Sequence, residues 1–444
     1  MKYLLTTFLA FAISATVFAQ IDRSKLPEPG PARDIKIGDY ESFELKNGMK
    51  VFVVENHKLP RVSFRLVFDV KPIMEGDKAG YLGMVGPMMR RGTTTRTKAQ
   101  LDEQIDFIGA SLGASSSSIY GSSLTKYRDE MLDLMTDILF NPIFPEAELE
   151  KIKTQEISGL TAQKDDPDAI SGNISAVMTY GKDHPYGELT TEETVANISV
   201  DDIRNYYTTY FKPNIAYLAI VGDITKKEAQ KLVKKAFGKW EEGTVPVESF
   251  ETPQPPDETF VALVDKPSSV QSVIDITYPV ELVSGTPDVV KARVLNSILG
   301  GGSAGRLFMN LREDKGYTYG AYSSLSADRF VGDFSAAASV RNEVTDSAVY
   351  QFMYELNRIK NEPVTDDELN LAISSISGSF ARSLESPQTV AGFAISTARY
   401  NYPADYYSSY LKRVQAVTAA DVQAMAQKYI QPEHANITVV GKAS

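Results

Sequence analysis

The alternation of apolar and polar residues along the chain predicts strands and helices in the same domain. Apolar side chains occupy every second position from Val62 to Phe68, which is the spacing of a strand with one buried face. Asn47-Gly48 separates two short apolar stretches and predicts the tight turn of a β-hairpin. Residues 97–110 show helical spacing and begin with the pattern of a capping box. Hairpins, helices and a final strand in this order indicate an α+β fold, with an antiparallel-rich sheet covered by helices.

The second half of the chain repeats the first at a nearly constant distance in sequence. Residues 199–222 and 418–441 each show the pattern of a capped helix, a turn stopped by proline and an apolar strand. Further matches occur elsewhere in the chain at the same offset, within one residue. A repeat of this length indicates two similar domains rather than a solenoid of short units. The matches in these segments include Asp202 with Asp421, Ile203 with Val422, Tyr210 with Tyr429, Pro213 with Pro432 and Gly222 with Gly441.

Changes in composition predict the boundaries of these domains. Residues 241–258 are rich in proline and acidic residues and show no periodicity, so we interpret them as a linker. The first domain then spans residues 40–240 and the second spans residues 259–444. Residues 20–39 are proline-rich and predict an irregular N-terminal arm.

The first 19 residues predict an export signal. Lys2 precedes a mostly apolar stretch, and Ala19 lies just before the expected cleavage at Gln20. A membrane anchor is the alternative, but the apolar stretch is too short and no basic residues follow it. No later stretch approaches the roughly 18 apolar residues of a membrane helix. We therefore expect a secreted chain with no membrane span and, because it has no cysteine, a bacterial periplasmic location.

Composition excludes several classes of protein. The 444 residues are 43% hydrophobic and 23% charged, which is typical of globular proteins. The formal net charge of −11 argues against a general nucleic-acid-binding protein. The absence of cysteine excludes thiol nucleophiles, disulfides and cysteine zinc sites. His57, His184 and His434 are far apart in sequence, so we interpret each as a loop or packing residue rather than a metal ligand.

The most unusual segment covers residues 299–324, LGGGSAGRLFMNLREDKGYTYGAYSS. Its glycines permit close approach of a backbone or a ligand, and a turn at Lys315-Gly316 can bring Arg312 and Tyr319 to one place. Arginine offers a forked donor for carbonyl or carboxylate oxygens, and a tyrosine hydroxyl can donate to a developing oxyanion. The alternative is a flexible turn with a surface arginine and an ordinary aromatic strand. The three consecutive glycines are Gly300, Gly301 and Gly302.

This segment resembles the second-domain signature of the pitrilysin or insulinase-like metallopeptidases, a superfamily that includes the subunits of the mitochondrial processing peptidase. Shorter pieces support the resemblance, among them ELKNGMKVFVVEN, RRGTTTR, NPIFPEAELE, DDPDA and HPYG. Together the pieces cover nearly all of residues 40–444. The resemblance implies two duplicated α+β domains that form half of a clamshell. Two such halves enclose a peptide-binding chamber.

The zinc signature of that family is missing at the matching positions of this chain. Members carry His-x-x-Glu-His in the first domain, where two histidines and a later glutamate bind zinc and the inner glutamate is the general base. Alignment on the RRGTTTR piece places Gly83 and Pro87 at the histidine positions and Gly86 at the base position. Glu156 stands in the place of the later glutamate as a relic of that ligand. The resemblance therefore implies no metal in this chain.

The second-domain groups are retained. By resemblance, Arg312 and Tyr319 match the arginine and tyrosine that bind the substrate backbone and help stabilise the tetrahedral intermediate. In heteromeric members one subunit carries zinc, and its partner can carry this pair and a glycine-rich loop. Gly300, Gly301 and Gly302 would then allow close approach of a peptide or of the partner.

Two hypotheses follow from this combination. The first is a zinc-free subunit, inactive alone, of a heteromeric peptidase whose zinc-bearing homologue carries His-x-x-Glu-His and which cleaves unfolded or short peptides. The alternative is a non-catalytic peptide-binding or scaffold protein of the cell envelope, in which packing alone retains Arg312 and Tyr319.

Overall fold

The computed structural model describes residues 35–442, so the predicted export signal and most of the predicted N-terminal arm lie outside the described residues. No helix in this range is long and apolar enough to cross a membrane. The strands are β1 (Glu41–Glu44), β2 (Lys50–Glu55), β3 (Arg61–Phe68), β4 (Ser111–Ala114), β5 (Ser118–Leu124), β6 (Ala216–Gly222), β7 (Phe260–Asp265), β8 (Gln271–Val280), β9 (Tyr322–Ser326), β10 (Gly332–Arg341) and β11 (Asn436–Gly441).

Helices connect these strands in both halves. In the first half they are α1 (Tyr81–Met89), α2 (Lys98–Phe107), α3 (Arg128–Phe140), α4 (Glu146–Gln163), α5 (Pro167–Tyr180), α6 (Glu192–Asn197), α7 (Val200–Tyr210) and α8 (Lys226–Phe237). In the second half they are α9 (Asp288–Leu299), α10 (Arg306–Phe308), α11 (Thr345–Asn361), α12 (Asp366–Ser383), α13 (Pro387–Arg399), α14 (Tyr410–Gln415) and α15 (Ala419–Tyr429). A π-helix, Met309–Asp314, continues α10.

The two sheets share one topology. The first has six strands in the order β1-β2-β6-β3-β5-β4, and the second has five in the order β7-β11-β8-β10-β9. β2 with β6 and β7 with β11 are parallel pairs, and the other neighbours are antiparallel. Apart from β1, each strand of the first sheet has a counterpart in the second. The predicted α+β fold with two duplicated, antiparallel-rich domains is confirmed.

Each sheet is covered on both faces, and one cover comes from the other half. Its own helices bury one face in a large apolar core. α13 of the second half packs on the opposite face of the first sheet, and α5 of the first half packs on β8 and β11. The alternation from Val62 to Phe68 predicts one buried face for β3, but Val67 on the other face is buried as well because α13 covers it. This exchange of helices holds the halves together.

Ion pairs strengthen the same junction. The carboxylate of Asp69, at the end of β3, accepts hydrogen bonds from Arg329 at 2.9 Å and from Arg399 at 2.7 Å. Both arginines belong to the second half, and the Asp69 side chain is largely buried. Residues 241–256 connect the halves without regular secondary structure. The described chain from Ile37 onward therefore behaves as one compact unit.

Candidate functional site

α1 carries the three positions at which the family resemblance expects the zinc motif. Gly83 and Pro87 are exposed, and Gly86 between them is buried. A Cβ atom at Gly86 would lie 2.2 Å from the carbonyl oxygen of Ala114 in β4, so no side chain fits there. Around a Cβ at Gly83, by contrast, no atom lies within 4 Å. The position at which the resemblance expects the general base is therefore closed by backbone.

Two glutamates fix the N-terminus of α1. The Glu75 carboxylate accepts hydrogen bonds from the N–H groups of Gly80 (3.0 Å) and Leu82 (2.8 Å). Burial raises the pKa of Glu75, although these N–H groups act in the opposite direction. Glu188 in turn accepts from the N–H of Glu75 at 2.8 Å. These hydrogen bonds hold the start of α1 in place.

Glu156 lies on α4, which contacts α1. It continues the inward-facing row of Leu149 and Ile152 by one turn, because residues four and seven apart share a helix face. Leu149 and Ile152 are buried, whereas Glu156 is exposed. The structure thus places this predicted relic on an exposed turn of a helix that packs beside α1.

The donor set does not fit a zinc ion. Among residues 35–442, no group of three or more histidine, cysteine, aspartate or glutamate side chains is arranged to hold a metal. Glycine and proline side chains at positions 83, 86 and 87 offer no ligand atom, and a tetrahedral catalytic site needs three protein ligands. A single glutamate on α4 does not replace them.

The three histidines lie in three different settings. His57 is exposed, and its Nδ1 lies 2.7 Å from an Asp223 carboxylate oxygen; this hydrogen bond raises the pKa of His57. His184 is buried and stacks on Tyr180. Nδ1 of His434 lies 2.9 Å from a backbone carbonyl oxygen. None of these settings resembles a shared metal site.

The glycine-rich loop follows α9 and packs against β9. A Cβ at Gly300 would lie 2.6 Å from the backbone nitrogen of Ser323, and a Cβ at Gly301 would lie 2.8 Å from Cα of Ser297. The Gly300 carbonyl accepts the Ser323 N–H at 3.0 Å. A Cβ at Gly302 would meet nothing within 4 Å. Glycine is thus needed at positions 300 and 301 because a side chain there would collide with the chain itself. A side chain at position 302 would meet open space.

Arg306 anchors the end of this loop, a role that the sequence reasoning missed. Its guanidinium is buried and makes a forked pair with Glu368 of α12, at 2.6 Å and 3.0 Å. Burial would raise the pKa of Glu368, but the hydrogen bonds from Arg306 and Thr365 lower it to about 2. The duplication offered a signal on the acidic side, because the repeat match of Glu368 in the first half, Glu148, also pairs with an arginine, Arg91, at 3.4 Å.

Arg312 lies in the π-helix that continues α10. Inside this wide turn, the amide of Asn310 donates to the buried Glu355 at 2.7 Å, which fixes the helix to α11. On the other side, the Arg312 guanidinium lies over the Phe308 ring at 5.5 Å and donates to Glu313 at 2.8 Å. The Arg312 side chain is 40% exposed, so its donors can reach another molecule.

Tyr319 lies across the turn that follows the π-helix. Gly316 has φ 62°, and the Tyr317 N–H donates back to the Leu311 carbonyl at 2.9 Å, which fixes the reversal of the chain. Tyr319 itself is 87% exposed. The aromatic strand expected from the sequence begins only at Tyr322, so Tyr319 is not a packed strand residue. The side chains of Arg312, before the turn, and of Tyr319, after it, both reach the surface.

Two family models match the chain. One, described as "Insulinase (Peptidase family M16)", matches residues 50–183. The other, described as "Peptidase M16 inactive domain", matches residues 197–376 and contains the glycine-rich loop, Arg312 and Tyr319.

Individual proteins are similar over most of their length. "Uncharacterized zinc protease YmxG" of Bacillus subtilis is 30% identical over 305 residues, which are 67% of this chain and 73% of that protein. "Non-peptidase homolog YmxG" of Helicobacter pylori is 21% identical over 430 residues, 94% of this chain and 92% of that protein. A crystal structure of a peptidase M16 inactive domain from Pseudomonas fluorescens has the same fold, with a TM-score of 0.82, 23% identity and coverage of 91% and 99% of the two chains.

Proposed function

This chain belongs to the insulinase family, peptidase family M16, and we propose that it is a zinc-free subunit of a heteromeric peptidase that cleaves unfolded or short peptides. It is inactive alone and contributes Arg312 and Tyr319 to the site of a zinc-bearing homologue that carries His-x-x-Glu-His.

One contrast between the halves carries this proposal. In the first half, the backbone of Ala114 fills the space that a side chain at Gly86 would need. In the second half, Arg312 and Tyr319 are exposed on a turn that several hydrogen bonds hold in place. The first half therefore leaves no room for the expected base, whereas the second half keeps the expected arginine and tyrosine at the surface, with 87% of Tyr319 exposed.

The chemistry of the pair suits the backbone of a peptide. The Arg312 guanidinium would donate to carbonyl oxygens of the bound chain. The Tyr319 hydroxyl would donate to the oxyanion that develops at the scissile carbonyl. The peptide would add as a strand to a sheet edge. β4 offers such an edge beside α1, whereas its counterpart in the second sheet, β9, already bonds to Gly300 through Ser323.

The same proposal covers location and metal content. We place the mature protein in the bacterial periplasm, on the export signal expected in residues 1–19. Zinc belongs to the partner, since the residues at positions 83, 86 and 87 offer no ligand atoms.

Co-purification tests the proposal. Residues 20–444 serve as bait in a periplasmic extract, and the captured proteins are identified by mass spectrometry. We expect a homologue with His-x-x-Glu-His whose peptidase activity rises when the purified bait is added. Capture of envelope proteins or peptides without such a homologue would contradict the proposal and support the scaffold or peptide-binding alternative.

A further inference from the structure

One edge of the second sheet exposes large apolar side chains. β7 is the terminal strand there, and its Phe260, Val261 and Leu263 are 56%, 50% and 75% exposed. Val261 and Leu263 point to one face of the sheet and Phe260 points to the other, because side chains alternate along a strand; we call Val261 and Leu263 the apolar edge. Adjacent exposed apolar residues on a terminal strand are unusual, because such a strand invites association with another chain.

The duplication shows how the equivalent strand of the first sheet is protected. β2 occupies the place of β7, since each pairs in parallel with the last strand of its half. Val51 and Val53 in β2 pair with Leu218 and Ile220, just as Val261 and Leu263 in β7 pair with Ile437 and Val439. Val51 and Val53 are nonetheless 0% exposed. The same backbone position is thus covered in one half and open in the other.

The cover in the first half is an amphipathic helix. α8 follows β6 directly and contacts β2. Its Ala229, Val233 and Phe237 are spaced by four residues, are 0% exposed and belong to the same core as Val51 and Val53. β1 adds a further strand to the outer edge of β2.

In the part of the chain that the structure describes, the second half has neither element. β11 ends at Gly441, no helix follows it up to residue 442, and no strand pairs with the outer edge of β7. The exposed side chains of Val261 and Leu263 are therefore those that a helix in the position of α8 would bury.

We propose that the apolar edge docks an amphipathic helix of a partner protein, with an apolar face like that of α8 and basic residues on either side. The charges favour this occupant. α8 carries five lysines and one glutamate, and the exposed carboxylates of Asp257 and Glu258 precede β7 in the chain by two to three residues, so they add negative charge at the start of the strand. This surface lies on β7, so it is independent of the roles given to Arg312 and Tyr319.

The chain itself provides a probe for this surface. A synthetic peptide of residues 223–240, DITKKEAQKLVKKAFGKW, contains α8 with its N-terminal cap and is labelled with fluorescein. Its binding to residues 20–444 is followed by fluorescence anisotropy. We expect saturable binding that Leu263→Lys weakens at least about tenfold, which corresponds to 1.4 kcal/mol.

Two controls separate docking from charge attraction and from misfolding. The peptide with Val233→Glu keeps most of the basic charge but loses the apolar face, and it should not bind. Phe107→Lys replaces an apolar residue that is 81% exposed elsewhere, and it should leave the affinity unchanged. Circular dichroism checks that the protein variants keep the native helix content.

Two results would overturn the proposal. In the first, the peptide binds Leu263→Lys as tightly as the unmodified protein, or does not bind at all at millimolar concentration. In the second, sedimentation shows a homodimer that Leu263→Lys dissociates, in which case a second copy of this chain occupies the apolar edge.

Discussion

Gly86 of α1 and Ala114 of β4 pack backbone against backbone. A Cβ at Gly86 would lie 2.2 Å from the Ala114 carbonyl oxygen and 2.4 Å from its carbon, distances that no real side chain tolerates. α1 thus lies so close to the edge strand that the family's general base could not be restored by one substitution. At the position where the resemblance expects the general base, the packing of the first half leaves no room for a side chain.

The first prediction concerns this contact. Gly86→Ala should lower the free energy of unfolding by about 1–3 kcal/mol, because the added methyl group must push α1 away from β4. Gly83→Ala is the matched control on the same helix. It meets open space, so it should leave stability unchanged or raise it by up to about 1 kcal/mol through helix propensity. Urea denaturation measures both, and equal stabilities for the two variants would contradict this account of α1.

The second prediction concerns the junction between the halves. Asp69→Asn should lower the free energy of unfolding by about 1–3 kcal/mol, because it weakens the charge-assisted hydrogen bonds of Arg329 and Arg399. Asp183→Asn changes an ion pair with Lys182 that is more than 80% exposed on both sides, and it should cost less than about 0.5 kcal/mol. If Asp69→Asn is as stable as Asp183→Asn, the ion pairs of Asp69 do not stabilise the junction, and the exchanged helices alone hold the halves together.

The third prediction concerns acid stability. Glu368 has its pKa lowered from 4.5 to about 2, mainly by Arg306 against the opposing effect of burial. The pair therefore stabilises the fold above pH 4.5, and this contribution is lost as the pH falls toward 2. Glu368→Gln should cost about 3 kcal/mol at pH 7, because it leaves the buried guanidinium of Arg306 without its charge partner.

A pH series distinguishes this effect from simple loss of packing. The difference in unfolding free energy between Glu368→Gln and the unmodified protein should shrink as the pH falls from 4.5 to 2. Glu150→Gln, on an exposed pair with Lys153, should show little difference at any pH. A difference for Glu368→Gln that stays constant over this range would exclude the ion pair as its cause.

Local sequence signals predicted the architecture well. The hairpin turn at Asn47-Gly48 forms between β1 and β2, with Gly48 at φ 82°, and Thr97 caps α2 as its spacing indicates. The repeat at 219 residues corresponds to two sheets of the same strand order. The turn and the cap depend on neighbouring residues, and the repeat is found by comparing the two halves. All three can therefore be predicted from one sequence.

Contacts between distant segments were not predictable in the same way. The alternation in β3 places Val67 on the face predicted to be exposed. Its burial is explained only by the docking of α13, which belongs to the other half. Gly300 was expected to make room for a peptide or partner, but much of its role is close packing against Ser323. The placement of Arg312 on a π-helix also depends on Asn310 and Glu355, which are 45 residues apart. Such relationships arise from tertiary packing and leave no periodic signal in the sequence.

The central claim is that this chain contributes Tyr319 to the site of a zinc-bearing partner. The most direct test is the turnover of an unfolded peptide by the reconstituted pair, with Tyr319→Phe and with Tyr350→Phe as an equally conservative change at a tyrosine that is 66% exposed. Complex formation is measured in parallel by gel filtration. We predict that Tyr319→Phe lowers kcat about 10²–10³-fold, as loss of one oxyanion donor does, while the complex stays intact and Tyr350→Phe retains full activity. Unchanged turnover with Tyr319→Phe in an intact complex would contradict the claim.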